Sequence, residues 1–378
     1  MNEQALQHFI SQSPWSGSVL IEAIQAAVKE RPELQSGTML IVDESSEERE
    51  GEQSVGVSRQ YLGRSGKVDQ GQVGVFVSLV KEDFWTWLDG EWYVPEVWFS
   101  DDFSQRRTRA GLPEARCFAT KTELGLQLVE RARARGVPFE AVAFDTFYGR
   151  DGWFRATLAD KQFEYRAEVP VTQRVYLTEP VIGLPTNKKG PPAEQPRVLS
   201  PKAKRVDQYR DQPDLPWQTV TSRPAERGFI TADFLAQRVW TVWHDANQEF
   251  HPRQEWLVIR RGPNGCCSYA LSNASAKTTL SVLAHRKCQR SFIEQANRDA
   301  KSEFGWDEIQ TTNYRAWQHH LALTILAAWF IAETKLDWAI DFARDPALLT
   351  QYEVELLPAL SVPNVRRLLL ELVMNLEA

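Results

Sequence analysis

Cysteine is scarce in this chain, with four residues among 378, and their positions favour neither a zinc-binding domain nor a disulfide-linked domain. The four cysteines show no spacing typical of a zinc site, and the neighbouring pair Cys266 and Cys267 is a poor disulfide candidate. The N-terminus also lacks a basic segment followed by an apolar core, so we expect no secretory signal. These absences favour a reducing cytoplasm as the location of the protein.

Long apolar runs are missing as well. The most apolar helical stretch, residues 321–332, is shorter than the roughly 20 residues that a helix needs to cross a bilayer. We therefore predict a buried core helix there and no membrane partner. The glycine-containing stretch 63–66 lacks the phosphate-loop pattern, so a nucleotide site of that kind is not expected.

The chain has no excess of positive charge, since its net charge is −6 at pH 7. That argues mildly against a nucleic-acid partner, because binding phosphates needs local Lys and Arg. The distribution matters more than the sum, however. Acidic residues concentrate in 43–52, whereas basic residues cluster at 106–109, 131–135 and 188–210. The last segment is rich in proline, which is typical of a linker that is either solvated or in electrostatic contact with DNA.

Apolar patterning predicts a mixed α/β protein. One helix is expected after Ser16 as N-cap, and another at the capping-box spacing of Thr120 and Glu123. Strands first, and then alternating helices and strands, indicate a mixed sheet flanked by helices. The predicted strands are residues 38–43, 54–61, 72–80, 84–98, 141–145, 164–169, 255–261 and 266–271, with a hairpin turn at 263–265.

Five segments follow from this pattern. A short N-terminal helical segment covers 1–35, and the first part of an α/β core covers 36–170. A linker and a β-rich inserted domain cover 171–277. The second part of the core covers 278–340, and C-terminal helices cover 341–378.

Three acids stand in settings that suit metal ligands. Asp43 and Asp145 each end an apolar run, and a carboxylate at the end of a buried strand lies at a sheet edge, where ligands normally bind. Glu294 lies in a helical stretch that also carries Arg290 and Lys301. Three converging carboxylates could hold two Mg²⁺ ions about 3.5–4 Å apart, the arrangement that cuts and joins phosphodiesters.

A helical stripe distinguishes Glu294 from the other acids nearby. At about 100° per residue, Lys287, Arg290, Glu294 and Lys301 fall within roughly a 60° sector of one continuous helix. Such a stripe suits a helix laid along a metal site with a phosphate over it. The alternative is a solvated helix face on which Arg290 and Glu294 form an ion pair.

Further motifs occur in order along the chain. The Asp43 strand is followed by SVGVSRQYLGRSGK at 54–67 and QVGV at 72–75, and Asp145 stands in FDTFYG. YALSN and YRAWQHH follow later in the chain. This combination resembles the DDE transposases of bacterial insertion sequences. It is most similar to the branch whose ribonuclease H-like core carries a β-rich insertion between the second Asp and the Glu, and the resemblance covers most of the chain.

What this resemblance implies is a catalytic triad of Asp43, Asp145 and Glu294 that binds two Mg²⁺ or Mn²⁺ ions. The family's helix signature runs Tyr, two residues, Arg, three residues, Glu, six residues, Lys. Arg290, Glu294 and Lys301 match that spacing and are expected to contact DNA around the acid.

The resemblance also implies further contacts with DNA. Lys287 occupies the Tyr position of the signature, so a cation would hold phosphate there. Arg59 and Lys67, downstream of Asp43, could touch DNA or could serve only as surface charges. Trp240 and Trp243 could stack on a flipped base, and core packing is the alternative for each. Fuller relatives carry a helical segment ahead of the first strand, so recognition of transposon ends is expected to be weaker or to lie elsewhere.

The expected function is metal-dependent cleavage at the ends of a transposon, followed by strand transfer into target DNA. The expected partner is double-stranded DNA, bound by a homodimer associated with the bacterial nucleoid. Two alternatives stay open. One is a DNA-binding derivative that no longer transposes, and the other is a structure-specific nuclease that cuts junctions and never joins ends.

Overall fold

The computed structural model describes residues 3–185, 195–212, 215–225, 228–344 and 360–376. The helices are α1 (Glu3–Ser11), α2 (Gly17–Glu30), α3 (Ser104–Ala110), α4 (Lys121–Ala134), α5 (Thr146–Gly149), α6 (Gly152–Asp160), α7 (Val206–Arg210), α8 (Leu280–Gln289), α9 (Ser291–Ser302), α10 (Tyr314–Arg344) and α11 (Val362–Leu376). Short 3₁₀ helices lie at Pro32–Leu34, Glu96–Phe99 and Asp101–Phe103.

The strands include several much longer than the sequence pattern predicts. They are β1 (Met39–Glu48), β2 (Ser58–Leu62), β3 (Lys67–Lys81), β4 (Phe84–Tyr93), β5 (Ala141–Phe144), β6 (Tyr165–Val169), β7 (Arg174–Val175), β8 (Val181–Gly183), β9 (Arg197–Ser200), β10 (Lys204–Arg205), β11 (Gln218–Ala225), β12 (Gly228–His244), β13 (Phe250–Arg261) and β14 (Cys267–Ser272).

Two compact units divide the chain. The first consists of residues 1–139 and 291–378, and the second of residues 140–290. The chain therefore leaves the first unit after Phe139 and returns to it at Ser291. The predicted division into five segments follows sequence character and stays a prediction. Its last segment, 341–378, lies partly outside the described residues.

The sheet of the first unit is an antiparallel meander around β3. This strand pairs with β1 from Met39 opposite Val80 to Glu48 opposite Gly71, and it also pairs with β2 and β4. Asp43 lies opposite Phe76 in this register, in the middle of β1. The prediction that the first strand ends at Asp43 is therefore wrong.

Neutralised carboxylates allow β1 to continue through its acidic half. Glu44 Oε2 accepts a hydrogen bond from Lys121 Nζ at 2.7 Å. Glu47, which is buried, pairs with Arg64 at 2.7 Å and also with Lys301. Because these cations come from distant segments, the local sequence predicts a solvated acidic loop where the protein has a strand.

Aromatic rings fill the core of the first unit. Phe76 stacks on Trp87 with ring centroids 4.3 Å apart, and Trp306 packs edge-on against both rings. Glycine leaves space for this packing, since a Cβ atom added at Gly74 or at Gly90 would overlap the ring of Phe76. Such buried rings account for part of the high tryptophan content.

Local capping and turn signals are confirmed. Ser16 caps α2 through a hydrogen bond from the backbone of Val19, and Thr120 forms a capping box with Glu123 on α4. In the second unit, the predicted hairpin turn joins β13 to β14 and has Gly265 at φ 78°, where glycine has no steric penalty. These features depend on residues only a few positions apart, which is why the sequence predicts them.

The second unit is built on a mixed sheet. β5 and β6 run parallel, with Val142 opposite Tyr165, and β14 joins β6 antiparallel, with Tyr269 opposite Val169. β13, β12 and β11 follow as successive antiparallel neighbours. The mixed sheet and the helices agree with the predicted mixed α/β class. Because the β-rich stretch shares a sheet with β5 and β6, its status as a separate inserted domain stays a prediction.

The predicted core helix lies within α10. Leu321, Ala322 and Ile325 are buried there, as a core helix requires. Within the described part of the chain, no helix has the combined length and apolarity that a bilayer crossing demands.

Gly149 ends α5 where that helix lies directly on β6. A Cβ atom at Gly149 would overlap the carbonyl oxygen of Glu168, so α5 would have to move off the strand. We expect Gly149→Ala to destabilise the protein by about 1–3 kcal/mol, the usual cost of overpacking. Urea unfolding measures the loss. Gly51→Ala is the matched control, because nothing lies within 4 Å of its added Cβ, and an equal loss in both variants would contradict the close approach.

Candidate functional site

Asp43 is tied to helix α9 by a side-chain amide. Its Oδ2 accepts a hydrogen bond from Asn297 Nδ2 at 3.2 Å. Asn297 Oδ1 accepts in turn from the indole Nε1 of Trp87 at 3.0 Å. Trp87 is buried, so its N–H needs a partner inside the protein. The three side chains form a continuous hydrogen-bonded link from β4 through α9 to β1.

Glu294 lies one helical turn before Asn297 on α9. Both residues line a cavity of about 240 Å³, and Glu294 is exposed. Because Asn297 also contacts Asp43, the structure places Asp43 and Glu294 beside the same turn of α9, within the first unit. The other lining residues are Glu44, Ser45, Ser46, Gly63, Arg64, Arg298 and Lys301.

Two cations at this cavity share the carboxylate of Glu47. Arg64 Nη1 lies 2.7 Å from Glu47 Oε2, and this charge raises the pKa of Arg64. Lys301 pairs with Glu47 as well, and its Nζ donates to the carbonyl oxygen of Ser46 at 3.4 Å. Lys301 is thus held at the cavity by β1, and its contact with DNA stays a prediction.

Two carboxylates lie beside this turn of α9. Glu294 lines the cavity, and Asp43 accepts a hydrogen bond from Asn297, which also lines it. Carboxylates are the ligands that Mg²⁺ and Mn²⁺ prefer in proteins. The donor set of the first unit therefore fits a divalent cation of this kind.

Asp145 belongs to the second unit and follows β5 directly, so the predicted strand end is confirmed there. It is the N-cap of α5, and its Oδ1 accepts from the backbone N–H of Phe147 at 3.0 Å and of Tyr148 at 3.3 Å. Two backbone donors to one oxygen hold the carboxylate in a single orientation.

The predicted stripe on one continuous helix is wrong. α8 ends at Gln289 and α9 begins at Ser291, so Lys287 and Glu294 lie on different helices. Arg290, the C-cap of α8, is half-buried in the second unit. The regular spacing of the signature therefore spans a helix boundary that propensity alone does not reveal.

Lys287 lies inside the second unit. Its side chain is 1% exposed, and its Nζ lies 2.9 Å and 3.1 Å from the two carboxylate oxygens of Glu168. Arg166, also buried, pairs with the same carboxylate. Burial and then the neighbouring Arg166 lower the pKa of Lys287, and burial lowers the pKa of Arg166 to about 9. A lysine that is buried and paired in this way is not available to a DNA phosphate, which argues against the predicted contact of Lys287 with DNA.

Arg59 and Lys67 lie at the surface of the meander. Arg59 is exposed on β2. Lys67 is exposed at the start of β3, and its Nζ lies 2.7 Å from Asp69 Oδ2. Their contacts with DNA stay predictions. The first part of the basic linker, residues 186–194, lies outside the described residues.

Trp240 and Trp243 are half-buried on β12 in the second unit. Trp243 stacks on His251 with ring centroids 4.8 Å apart, and it packs so closely on Gly152 that an added Cβ there would overlap it. These contacts favour packing for Trp243. Trp240 exchanges two backbone hydrogen bonds with Tyr176, and base stacking by either ring stays a prediction.

A further group of potential metal ligands lies at the turn between β12 and β13. Asp245, Glu249 and His251 each bring one ligand atom within 4.8 Å of the others. Asp245 Oδ1 accepts from the backbone N–H groups of Asn247 and Glu249, both at 2.9 Å. These bonds shape the turn, and the group contains none of the three predicted acids.

Sequence reasoning does not identify Asn297, Arg64 or Glu47 as parts of the site. For Asn297 a signal exists, because it lies three residues after Glu294 and hence on the same helix face. Arg64 and Glu47 meet only because β1, β3 and β2 pair side by side. Their partnership depends on sheet register, which the local pattern does not show.

Comparison with known proteins assigns the chain to a family. The profile of the DDE superfamily endonucleases matches residues 1–228, which include Asp43 and Asp145. The chain belongs to this family. A probable transposase for insertion sequence element IS701 from Microchaete diplosiphon is 32% identical over 322 residues, covering 83% of this chain and 70% of the relative. Both findings confirm the predicted resemblance to DDE transposases of insertion sequences, and Glu294 lies beyond the family match.

The ion pairs of Glu168 with Lys287 and Arg166 are expected to stabilise the second unit, and substitutions at Glu168 and Lys287 test this role. Glu168→Gln leaves Lys287 and Arg166 without their carboxylate, and we expect a loss of about 3–5 kcal/mol. Lys287→Met keeps the side-chain volume and removes a buried charge, so we expect a much smaller cost. Urea unfolding of both variants measures the difference. If Lys287→Met kept its stability and lost affinity for DNA, the internal role of Lys287 would be contradicted.

Proposed function

We propose that this protein binds divalent metal ions through Asp43, Asp145 and Glu294, cleaves DNA at the ends of an insertion sequence, and joins those ends to target DNA. The observation that carries the proposal is the α9 turn that brings Glu294 and Asp43 together in a DDE superfamily endonuclease. The IS701 relative supports insertion-sequence ends as the substrate. The assignment of Asp145 rests on its place after β5 within the family match.

The chemistry belongs to phosphoryl transfer. Bound Mg²⁺ or Mn²⁺, two ions in this proposal, would supply a more acidic water or DNA 3′-hydroxyl and a neutralised leaving oxygen. The protein's own part is to aim the ligands. Backbone amides of α5 orient Asp145, Asn297 contacts Asp43, and α9 presents Glu294 at the cavity. No serine or cysteine nucleophile is required.

Cationic side chains around the cavity would receive the DNA backbone. Arg298 is exposed on the cavity wall, and Arg64 and Lys301 flank it. Arginine can grip a phosphate with two donors, whereas lysine acts as a point charge. We propose double-stranded DNA as the partner, with Arg290 and the exposed Arg59 as further contacts. We also propose a homodimer as the assembly, because joining requires two ends to be held together.

Single substitutions test the three acids. Asp43→Asn, Asp145→Asn and Glu294→Gln keep the side-chain size and remove the charge that a metal ligand needs. We expect cleavage of DNA carrying the element's ends to fall by about 10³-fold or more in each variant. Gel assays with Mg²⁺ or Mn²⁺ measure cleavage, and mobility-shift assays measure DNA affinity, which we expect to stay near the wild-type value.

The control for these variants is Asp102→Asn. Asp102 is an exposed acid of the first unit and does not line the cavity. The Asp102→Asn variant is therefore expected to cleave DNA at the wild-type rate. If the wild-type protein binds the ends and never nicks them with either metal, the enzyme assignment is overturned in favour of a DNA-binding derivative.

Strand transfer separates a transposase from a nuclease. Precleaved ends with free 3′-hydroxyls are incubated with a supercoiled target plasmid and divalent metal. We expect joined products with the wild-type protein and none with Glu294→Gln, because cleavage and joining share the same acids. Cutting of branched DNA without any joined product would instead indicate a structure-specific nuclease.

A further inference from the structure

The neighbours of Asn297 determine which way its amide points. The indole Nε1 of Trp87 can only donate, so the atom 3.0 Å from it is the amide oxygen of Asn297. The amide nitrogen then faces Asp43, where it donates to Oδ2 at 3.2 Å. The link from Trp87 through Asn297 to Asp43 therefore has one consistent direction of donation, from a buried indole to a carboxylate.

We propose that Asn297 is a positioning residue for Asp43: its amide, held by Trp87, keeps the carboxylate in the orientation that binds a divalent cation. The inference rests on the proposed function, in which Asp43 is a metal ligand. Asn297 lies one turn after Glu294, so α9 presents one acid and orients the other. A carboxylate held in place before the ion arrives loses less freedom on binding it.

A neutral amide suits this role better than a charged side chain. Lysine or arginine at position 297 would place a positive charge beside the cation and oppose its binding. An ionised carboxylate at position 297 has no hydrogen to donate to Asp43. The amide donates without adding net charge. An ionised carboxylate accepts at about four lone-pair positions, and the amide bond of Asn297 uses one of them.

A second tryptophan link on the same helix provides a comparison within the molecule. Trp85 Nε1 donates to Asp299 Oδ2 at 2.9 Å, and Gln295 Nε2 donates to Asp299 Oδ1 at 2.7 Å. Asp299 is buried and does not line the cavity that Glu294 lines. Trp85 thus joins β4 to α9 as Trp87 does, and Gln295 donates an amide hydrogen bond within α9, but both bonds serve a different carboxylate.

Direct measurement of metal binding tests the positioning role. Mn²⁺ is titrated into the full-length protein and followed by electron paramagnetic resonance, with Asp43→Asn defining the binding that depends on Asp43. We expect Asn297→Ala to weaken this binding by about 10- to 100-fold. Trp87→Phe keeps an aromatic side chain, although a smaller one, and removes the N–H that fixes the amide, so we expect a loss in the same direction of roughly tenfold or less.

Cleavage gives a second readout of the same variants. We expect the Mg²⁺ concentration for half-maximal cleavage to rise in Asn297→Ala, and saturating metal to restore most of the rate. Unfolding curves recorded at each metal concentration show the fraction of folded protein, so that stabilisation by bound metal is separated from the change in affinity. A rate that stays low at saturating metal, with unchanged half-maximal concentration, would contradict a role in orienting Asp43.

Gln295→Ala and Trp85→Phe are the matched controls. Each loses a bond of the same kind on the same helix or strand, so both are expected to lower the unfolding temperature about as much as the test variants do. Their affinity for Mn²⁺ is expected to stay at the wild-type value. If these controls also bound Mn²⁺ more weakly, Asn297 would be assigned to the general packing of α9.

The outcomes distinguish this inference from the proposed function. If Asp43→Asn binds Mn²⁺ as tightly as the wild type, the proposed function fails. If Asp43→Asn loses the site while Asn297→Ala and Trp87→Phe keep wild-type affinity, only the positioning role fails. Should Asn297→Ala not fold, Trp87→Phe and Asn297→Ser decide the question, because Trp87→Phe leaves the amide in place.

Discussion

Two indole N–H groups on β4, one from the buried Trp87 and one from the half-buried Trp85, connect this strand to helix α9. Trp85 and Trp87 are two residues apart, so they point to the same side of the strand, and both donate to side chains of α9. A buried donor left without an acceptor costs about 1–3 kcal/mol. Satisfying both donors sets the place of the helix and its rotation about its axis. The direction in which Glu294 leaves the helix is set at the same time.

Local pairing of charges explains how an acidic protein presents cations at its cavity. The net charge is −6, yet Glu44 and Glu47 on β1 are matched by Lys121, Arg64 and Lys301, and two of these three cations line the cavity. The second unit has a similar arrangement, in which one carboxylate, that of Glu168, pairs with two buried cations. In both units the charge that matters is a local one, and the overall sum describes neither.

The sequence predicts those features whose causes lie within a few residues. The N-cap at Ser16, the capping box at Thr120, the hairpin turn at Gly265 and the strand end at Asp145 all belong to this group. The mixed α/β class and the family resemblance follow from longer patterns of the same kind.

The length of β1, the break between α8 and α9 and the burial of Lys287 could not be predicted. The strand and the lysine depend on partners outside their own segments, which are Lys121 and Arg64 for the strand and Glu168 for the lysine. The role of Asn297 is only partly predictable: the helix face on which it lies follows from the sequence, and its contact with Asp43 does not.

The discontinuity of the first unit has a consequence for how the protein is made. β1 and β4 leave the ribosome before any of the second unit, and α9 leaves after all of it. Asp43 and Asn297 are 254 residues apart in the chain, so translation at about 5–20 residues per second takes on the order of 10–50 s to make the second after the first. During that time Trp85 and Trp87 have no helix to donate to, and Asp43 has no hydrogen bond from Asn297. A growing chain therefore lacks the contact between Asp43 and Asn297 until both units have been translated as far as α9.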